Sequence, residues 1–177
     1  MSLIYLLSSL PMLSFDAAPG ISPEAFVETC RDQLSAKDAS AAEALLRGEA
    51  ADNPFGLAWR DKDTLLRNAA ARERARSSGK DAARWLREAH GCDRQIDDSV
   101  EDAFQEADPL RREKELDKIR WRIAEELQGP DPLDIKAVFA YAVKLALLSR
   151  WSALDKGRGQ HLFDTLTQIP ITLNPEP

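Results

Sequence analysis

The sequence contains little of the histidine and cysteine that many catalytic and metal sites use. Among its 177 residues are two histidines and two cysteines, and its formal net charge is −6. Two cysteines are too few for a framework of disulfide bonds and are typical of a protein from a reducing compartment. The acidic balance argues against nucleic-acid binding, which needs a basic face to meet phosphates. Composition therefore predicts no nucleic-acid partner.

Two short stretches are weak candidates for chemistry. HGCD at residues 90–93 places His90 near Cys92, but a zinc site normally needs two close ligand pairs, and the other histidine, His161, is distant in sequence. KGRG at residues 156–159 lacks the spacing of a phosphate-binding loop, and a turn with exposed basic residues is favoured over an anion site. We predict no metal, no cofactor and no catalytic residue, so the chain is not expected to be an enzyme.

Long apolar runs are scarce as well. Residues 138–148 are apolar except for Lys144, but eleven residues of helix span only about 16 Å, too little for a bilayer. A helix that is apolar on nearly all sides must be surrounded by other elements, so this segment is predicted to be the most buried helix. Residues 3–13 resemble the apolar part of a signal peptide, but no basic residue precedes them and Pro11 interrupts them. We expect a cytoplasmic protein without direct membrane insertion.

Signals for the start and end of helices fill most of the chain. The firmest are the Asp-Pro pairs at residues 108–109 and 131–132 and the stop at Gly129. We predict an all-α, bundle-like, multi-helix domain of about seven or eight helices over residues 1–177, with short extended segments at the termini.

Local patterns give more detailed predictions. Residues 3–7 are interpreted as a strand or extended segment, residues 53–56 as a turn, and residues 61–78 and 82–89 as helices. Asp98 or Ser99 is predicted to cap a further helix, and the polar residues 92–98 mark a candidate subdomain boundary. A final short helix is predicted to carry an apolar stripe of Leu162, Phe163, Leu166 and Ile169.

Trp121 does not fit the apolar stripe of its own helix. At about 100° per residue it lies roughly 140° from Leu116, outside the predicted stripe. Two interpretations stay open: a second contact with Leu110 or a neighbouring helix, or an exposed aromatic at a protein–protein contact, where tryptophan is favoured. The stripe itself consists of Leu116, Ile119, Ile123 and Leu127.

Two stretches resemble a bacterial family of uncharacterised proteins. YLLSSLPMLSFD at residues 5–16 is similar to the YYLVASLP-x-L start of that family, and RWSALD at residues 150–155, followed by glycine and Phe163, resembles its RW-x-x-LD-x-x-x-G-x-x-x-F region. Members are typically encoded among the subunits of V/A-type ATPases. They are thought to stand in for the subunit, C or d, that joins the rotor shaft to the membrane ring.

The resemblance implies a non-enzymatic accessory or central-stalk coupling subunit. Its partners would be V/A-type ATPase subunits of the rotor shaft or membrane ring, and it would be peripheral to the membrane through them. The residues so implied, with Trp121 added for its position, are Tyr5, Leu10, Pro11, Trp121, Arg150, Trp151, Asp155 and Gly157. Each can also serve the fold, and packing is the favoured role of Trp151. Two other classes stay open: a small helical ligand-binding domain or enzyme that uses the KGRG turn, and a helical adaptor unrelated to ATPases.

Overall fold

The computed structural model describes residues 3–154, and all regular structure within them is helical. This confirms the predicted all-α class with about seven helices. None of the helices described is both long enough and apolar enough to cross a membrane. The α-helices are α1 (Leu3–Ser9), α2 (Pro23–Gln33), α3 (Ala36–Leu46), α4 (Pro54–Ser78), α5 (Arg94–Ala103), α6 (Pro109–Gln128) and α7 (Ile135–Ser152), and a 3-10 helix spans Ala83–Trp85.

Capping side chains fix where helices begin. Ser22 and Asp108 each accept a hydrogen bond from a backbone N–H in the first turn of α2 and α6. Pro23 and Pro109 follow at the first helical position, where a missing N–H leaves no helical bond unmade. Gly129 ends α6 with φ 76°, a conformation that residues with a side chain seldom adopt. The predicted start at residues 108–109 and stop at Gly129 are confirmed.

The N-terminal prediction is wrong in two places. Residues 3–7 form α1 rather than a strand or extended segment, with Leu6 fully buried and Tyr5 exposed. Burial of one side of this segment is typical of a helix. An apolar run this short does not show from the sequence whether it forms a helix or a strand. α4 begins at Pro54, inside the predicted turn, because the Asn53 side chain accepts from the Gly56 N–H at 2.8 Å and caps a helix there.

Three later boundaries also differ. The helix predicted over residues 82–89 is only a 3-10 turn, because the Asn68 side chain forms two hydrogen bonds with the Arg87 backbone, at 2.8 and 2.9 Å. α5 begins after Asp93 rather than at Asp98 or Ser99, and α7 is capped by Asp134 rather than starting at residues 131–132. The boundary at residues 92–98 stays a prediction, and the helix predicted to carry Leu162 to Ile169 lies outside the described residues.

Two clusters of buried side chains form the interior. The first, here the α7 core, joins α1, α2, α3 and the start of α4 around α7. The second, the α4–α6 core, lies between α4, α5 and α6 and includes Leu66, Val100 and Leu116. Trp59 and Leu127 pack against both cores. Half of the 18 residues of α7 are buried, which confirms that the apolar run marks the most buried helix.

Candidate functional site

The Asp117 carboxylate of α6 is a fully buried charged group, with 0% of its side chain exposed. Arg120 Nη1 donates to it at 2.9 Å and Trp151 Nε1 at 2.8 Å, and Arg150 Nη2 donates from the same end of α7. An ionised carboxylate is costly to bury unless such donors surround it. We name these four residues the Asp117 clamp, because they hold the last turn of α7 against α6.

A second carboxylate connects the Asp117 clamp to α4. Asp63 Oδ1 accepts from Arg120 Nε at 3.0 Å, and Asp63 Oδ2 accepts from Arg67 Nε at 2.6 Å. Burial acts to lower the pKa of Arg120, but the charges and hydrogen bonds of Asp63 and Asp117 outweigh it and the pKa is raised. Arg120 is therefore a cation held between two carboxylates, and charged groups connect α4, α6 and α7.

Both oxygens of Asp117 are occupied by protein donors. Oδ1 accepts from Arg120, and Oδ2 accepts from Arg150 and Trp151. The Arg150 side chain is 51% exposed, so it forms the solvent side of the clamp. The Asp117 carboxylate thus positions three side chains. Its contacts with Arg150 and Trp151 give the Arg-Trp pair of the RW motif a structural role.

Trp121 is partly buried and packs on residues outside its own helix. Its ring meets the Phe15 ring edge-on with centroids 5.5 Å apart, and Lys144 Nζ lies 5.0 Å from its centroid. The indole N–H donates to Glu125 Oε1 at 2.9 Å, and Lys144 donates to the same oxygen at 3.0 Å. The structure thus provides the contact with a neighbouring helix that one interpretation expected. Its role in docking stays a prediction.

The N-terminal motif is divided between the interior and the surface. Leu10 and Pro11 are partly buried, and the Tyr141 hydroxyl of α7 donates to the Pro11 carbonyl at 2.9 Å. The Tyr141 ring stacks on Phe26 with centroids 5.3 Å apart, and burial raises the pKa of Tyr141 to about 12. Tyr5, in contrast, is 62% exposed. Leu10 and Pro11 therefore belong to the packing around α7, whereas Tyr5 does not.

Large apolar side chains close to that tyrosine in the sequence are exposed as well. Ile4 on α1 and Met12 just after it are 53% and 95% exposed. Single exposed apolar residues are normal, but three within nine residues of chain are a candidate contact surface. We name Ile4, Tyr5 and Met12 the N-terminal surface.

The structure brings together only part of the predicted set of binding residues. Arg150 and Trp151 meet at the Asp117 clamp, whereas Pro11 contacts Tyr141, ten residues earlier on α7 and about 15 Å away along the helix. Asp155, Gly157 and the turn at residues 156–159 lie outside the described residues.

Sequence reasoning missed Asp117 and Arg120. They form a pair of opposite charge three residues apart, and Arg120 lies roughly 40° from Leu116 on the helical wheel, about 20° beyond the edge of the apolar stripe. An arginine directly beside an apolar stripe, three residues after an aspartate, is the signal that would have indicated a buried ion pair. Nothing in the sequence indicates that its further partners are Asp63 and Arg150.

The cysteines and the HGCD stretch occupy separate places. Cys30 is buried among apolar side chains, and burial raises the pKa of its thiol to about 12. The His90 side chain is 82% exposed with Nδ1 4.0 Å from Asp61 Oδ1, and Cys92 is exposed. Between residues 3 and 154, no three histidine, cysteine or acidic side chains come together as a metal site.

Comparison with known proteins gives one similarity. Residues 93–169 match the family model described as "Protein of unknown function (DUF2764)". This stretch is similar to DUF2764. The DUF2764 match starts at the residue that caps α5 and contains all four members of the Asp117 clamp, but it covers less than half of the chain. It agrees with a resemblance to uncharacterised proteins. No curated protein matches the chain, and no solved structure does.

Proposed function

We propose that the chain is a non-enzymatic accessory or central-stalk coupling subunit of a V/A-type rotary ATPase and acts by docking onto other subunits. The observation that carries the proposal is the division of the opening motif. Leu10 and Pro11 pack into the fold, whereas Tyr5 of the same motif is 62% exposed. A motif residue that packing does not use supports a role in binding, and aromatic residues are enriched at protein interfaces.

The Asp117 clamp supports the coupling part of the proposal. A subunit that transmits torque needs helices that keep their relative positions under load. Asp117 and Arg120 connect α6 to α4 and α7 through side chains whose hydrogen-bond geometry is defined. The α7 core adds largely apolar contacts between α7 and helices α1, α2 and α3. Such an arrangement favours a rigid body with a docking face.

The proposed partners are the rotor shaft or membrane ring subunits of the ATPase. The chain would lie on the cytoplasmic side and reach the membrane only through these subunits. The N-terminal surface is the docking face that we assign to them. The opposing alternative from the sequence, an adaptor unrelated to ATPases, uses the same surface with another partner.

Co-purification from cells of the source organism tests the proposal directly. An affinity-tagged full-length chain, extracted under conditions that keep the ATPase intact, should recover ATPase subunits. Replacing Ile4 and Tyr5 together by alanine should reduce the recovery strongly, because truncating an interface aromatic costs about 2 kcal/mol or more. Leu133→Ala is the matched control, since Leu133 is 47% exposed and lies outside the N-terminal surface.

The outcomes separate the alternatives. Recovery of no ATPase subunit would refute the ATPase role. Recovery of a different protein that depends on Ile4 and Tyr5 would favour the adaptor, and equal recovery by the double variant and the parent would show that another surface binds.

A further inference from the structure

A small groove lies between the end of α4 and the 3-10 helix, far along the chain from the N-terminal surface. We name it the Trp85 groove; its volume is about 280 Å³, and it is lined by Ala71, Arg74, Ala75, Ser78, Lys80 and Trp85. A cavity of about 150 Å³ can hold a benzene ring, whereas pockets for drug-sized ligands begin at about 300 Å³. The Trp85 groove is therefore of a size to take one large apolar side chain.

The lining of the groove is largely apolar. Ala71, Ala75 and Ser78 lie within about 60° of one another on α4, because they are spaced four and three residues apart. The Ser78 hydroxyl donates to the Arg74 carbonyl at 2.9 Å, so its polar group is satisfied within the helix. Trp85 adds an aromatic ring and is 45% exposed. An apolar side chain that enters the groove would meet this ring and the methyl groups of α4.

The loop that carries Trp85 is held in place by a buried side chain. Asn68 of α4 is 7% exposed, and its amide donates to the Arg87 carbonyl at 2.8 Å and accepts from the Arg87 N–H at 2.9 Å. The guanidinium carbon of Arg84 lies 5.1 Å from the centroid of the Trp85 ring, within the range of a cation–π contact. A surface that is fixed before binding loses little conformational entropy when a partner docks.

Basic side chains lie at and beside the groove. Lys80, Arg84 and Arg87 are exposed, and none of the three forms an ion pair with another residue between 3 and 154. The exposed Glu88 next to Arg87 offsets one of these charges. The positive charge that remains is carried by Lys80 and Arg84, in a chain whose formal net charge is −6.

The negative groups close to the groove are already bonded within the chain. Glu113 pairs with Arg74 at 2.8 Å, and Asp81 Oδ1 accepts from a backbone N–H at 3.0 Å. The Lys80 N–H donates to the Ala75 carbonyl at 2.9 Å, which satisfies part of the negative end of α4. The charge that would complement this surface is therefore negative.

We propose that the Trp85 groove docks an acidic protein segment, which places one large apolar side chain against Trp85 and its carboxylates near Lys80 and Arg84. The apolar lining explains the anchor, and the unpaired cations explain the acidic flanks. A membrane surface is a poorer partner, because the lining is recessed and a net charge of −6 opposes adsorption to anionic lipid. The proposal uses none of the residues of the N-terminal surface and does not rest on the proposed ATPase role.

Binding of a synthetic peptide to the full-length chain tests the proposal. The probe is a fluorescein-labelled peptide with one leucine flanked on both sides by glutamates, and fluorescence anisotropy measures its binding. We expect binding at low salt to saturate below about 1 mM and to weaken roughly tenfold at high salt, because screening removes the attraction between the charges. Replacing the leucine of the peptide by alanine should weaken binding about fivefold or more, because less apolar surface is buried in the groove.

Variants of the chain show where the peptide binds. Lys80→Glu together with Arg84→Glu should weaken binding about tenfold or more. Lys37→Glu together with Lys136→Glu is the matched control, since these exposed lysines lie on α3 and α7 and the net charge changes equally; it should change binding less than about twofold. Trp85→Ala should weaken binding roughly tenfold, whereas Trp85→Phe should retain most of it because an aromatic ring remains. Unchanged thermal midpoints show that the variants fold.

Five results would overturn the proposal. The first is no saturable binding of the peptide to the parent chain. The second is equal weakening by the two charge-reversed pairs, since net charge and not the groove then attracts the peptide. The third is binding that neither Trp85→Ala nor the alanine peptide weakens, since the contact then does not use the groove.

The other two results assign the groove to a different occupant. Binding to phosphatidylglycerol vesicles that Trp85→Ala abolishes, without binding of the peptide, would assign it to a membrane surface. Self-association that light scattering detects in the parent and not in Trp85→Ala would assign it to a second copy. Each of the five results can be obtained whether or not ATPase subunits co-purify with the chain.

Discussion

The two cores hold their helices together in different ways. The α7 core is apolar and aromatic throughout, as in the contact of Phe55 with Phe139, whose ring centroids are 5.8 Å apart. The α4–α6 core contains fewer buried apolar residues, and around it ion pairs join the helices, for example Arg72 Nη2 to Asp97 Oδ1 at 2.5 Å. Exposed ion pairs contribute only about 0–1 kcal/mol each. Burial therefore stabilises both cores, and the ion pairs mainly select which faces of α4, α5 and α6 meet.

The Asp117 clamp lies where these two modes of packing meet. Asp117 and Arg120 belong to α6 of the α4–α6 core, whereas Arg150 and Trp151 belong to α7. Asp117 is fully buried and Arg120 is mostly buried, unlike most charges of the surrounding pairs, so water screens the interaction between these two charges only weakly. The clamp should accordingly behave as part of the interior, and its removal should have the largest effect on stability.

Asp117→Ala should lower the free energy of unfolding by about 3–5 kcal/mol, because it leaves the buried Arg120 with one of its two carboxylates missing. Urea denaturation followed by circular dichroism measures this change. Asp98→Ala is the control, since the Asp98 side chain is 66% exposed and its pair with Arg94 spans 3.8 Å. A loss below about 1 kcal/mol for Asp117→Ala would show that the clamp behaves as a surface pair.

Leu145→Ala and Leu116→Ala compare the cores directly. The two side chains are 0% and 1% exposed, and each truncation should cost about 3 kcal/mol through lost burial and the cavity left behind. Because Trp59 and Leu127 pack against both cores, we expect one cooperative transition that both variants shift.

Denaturation monitored by circular dichroism and by tryptophan fluorescence should give coincident curves for both variants. Leu133→Ala, at an exposed position, should change stability by less than about 0.5 kcal/mol. Two separate transitions, with each variant shifting only one, would mean that the cores unfold independently and would support the subdomain boundary near residues 92–98.

The difference between the cores also explains what the sequence could predict. The apolar run at residues 138–148 predicted α7 and its burial, because a helix without a polar face has few alternatives. The end of α4 at Gly79 followed from glycine chemistry. Residues 82–89 were wrongly predicted to be a helix, because the Arg87 backbone bonds to Asn68, which lies nineteen residues earlier in the sequence.

The candidate site was predicted only in part for a related reason. Arg150 and Trp151 were selected through a resemblance, but their common partner Asp117 lies more than thirty residues earlier in the chain. Periodicity places a residue on a face of its own helix and does not tell which helix lies opposite. The contact of Trp121 with Phe15 could not be predicted for the same reason, since Phe15 is far from Trp121 in the sequence.

Trp121→Ala should lower the free energy of unfolding by about 1.5 kcal/mol, because it removes a partly buried ring and its edge-on contact with Phe15. A double-mutant cycle with Phe15→Ala should give a coupling of about 1 kcal/mol. An unchanged thermal midpoint together with weaker association with a partner would contradict this expectation. It would instead favour the exposed docking role that the sequence left open.

Tyr141→Phe should have the smallest effect at neutral pH, about 1 kcal/mol, because it removes the hydrogen bond to the Pro11 carbonyl and keeps the ring on Phe26. Chemical denaturation near pH 7 measures the difference from the parent. A change within error would mean that water donates to the Pro11 carbonyl in place of the hydroxyl at no cost in stability. The same substitution has a second consequence at high pH.

In the folded chain the pKa of Tyr141 is raised by burial from 10.0 to about 12. Between these values the unfolded chain loses the phenol proton while the folded chain keeps it, so the unfolded state binds fewer protons. The free energy of unfolding should therefore fall as the pH rises from 10 towards 12, and this contribution should be complete below pH 10. Tyr141→Phe should remove that part of the slope and leave the contribution of every other group.

In Tyr5→Phe, which retains a single tyrosine, tyrosinate absorbance should rise with a midpoint near 12. A midpoint near 10 would place the Tyr141 hydroxyl in water and remove Pro11 from the packing around α7.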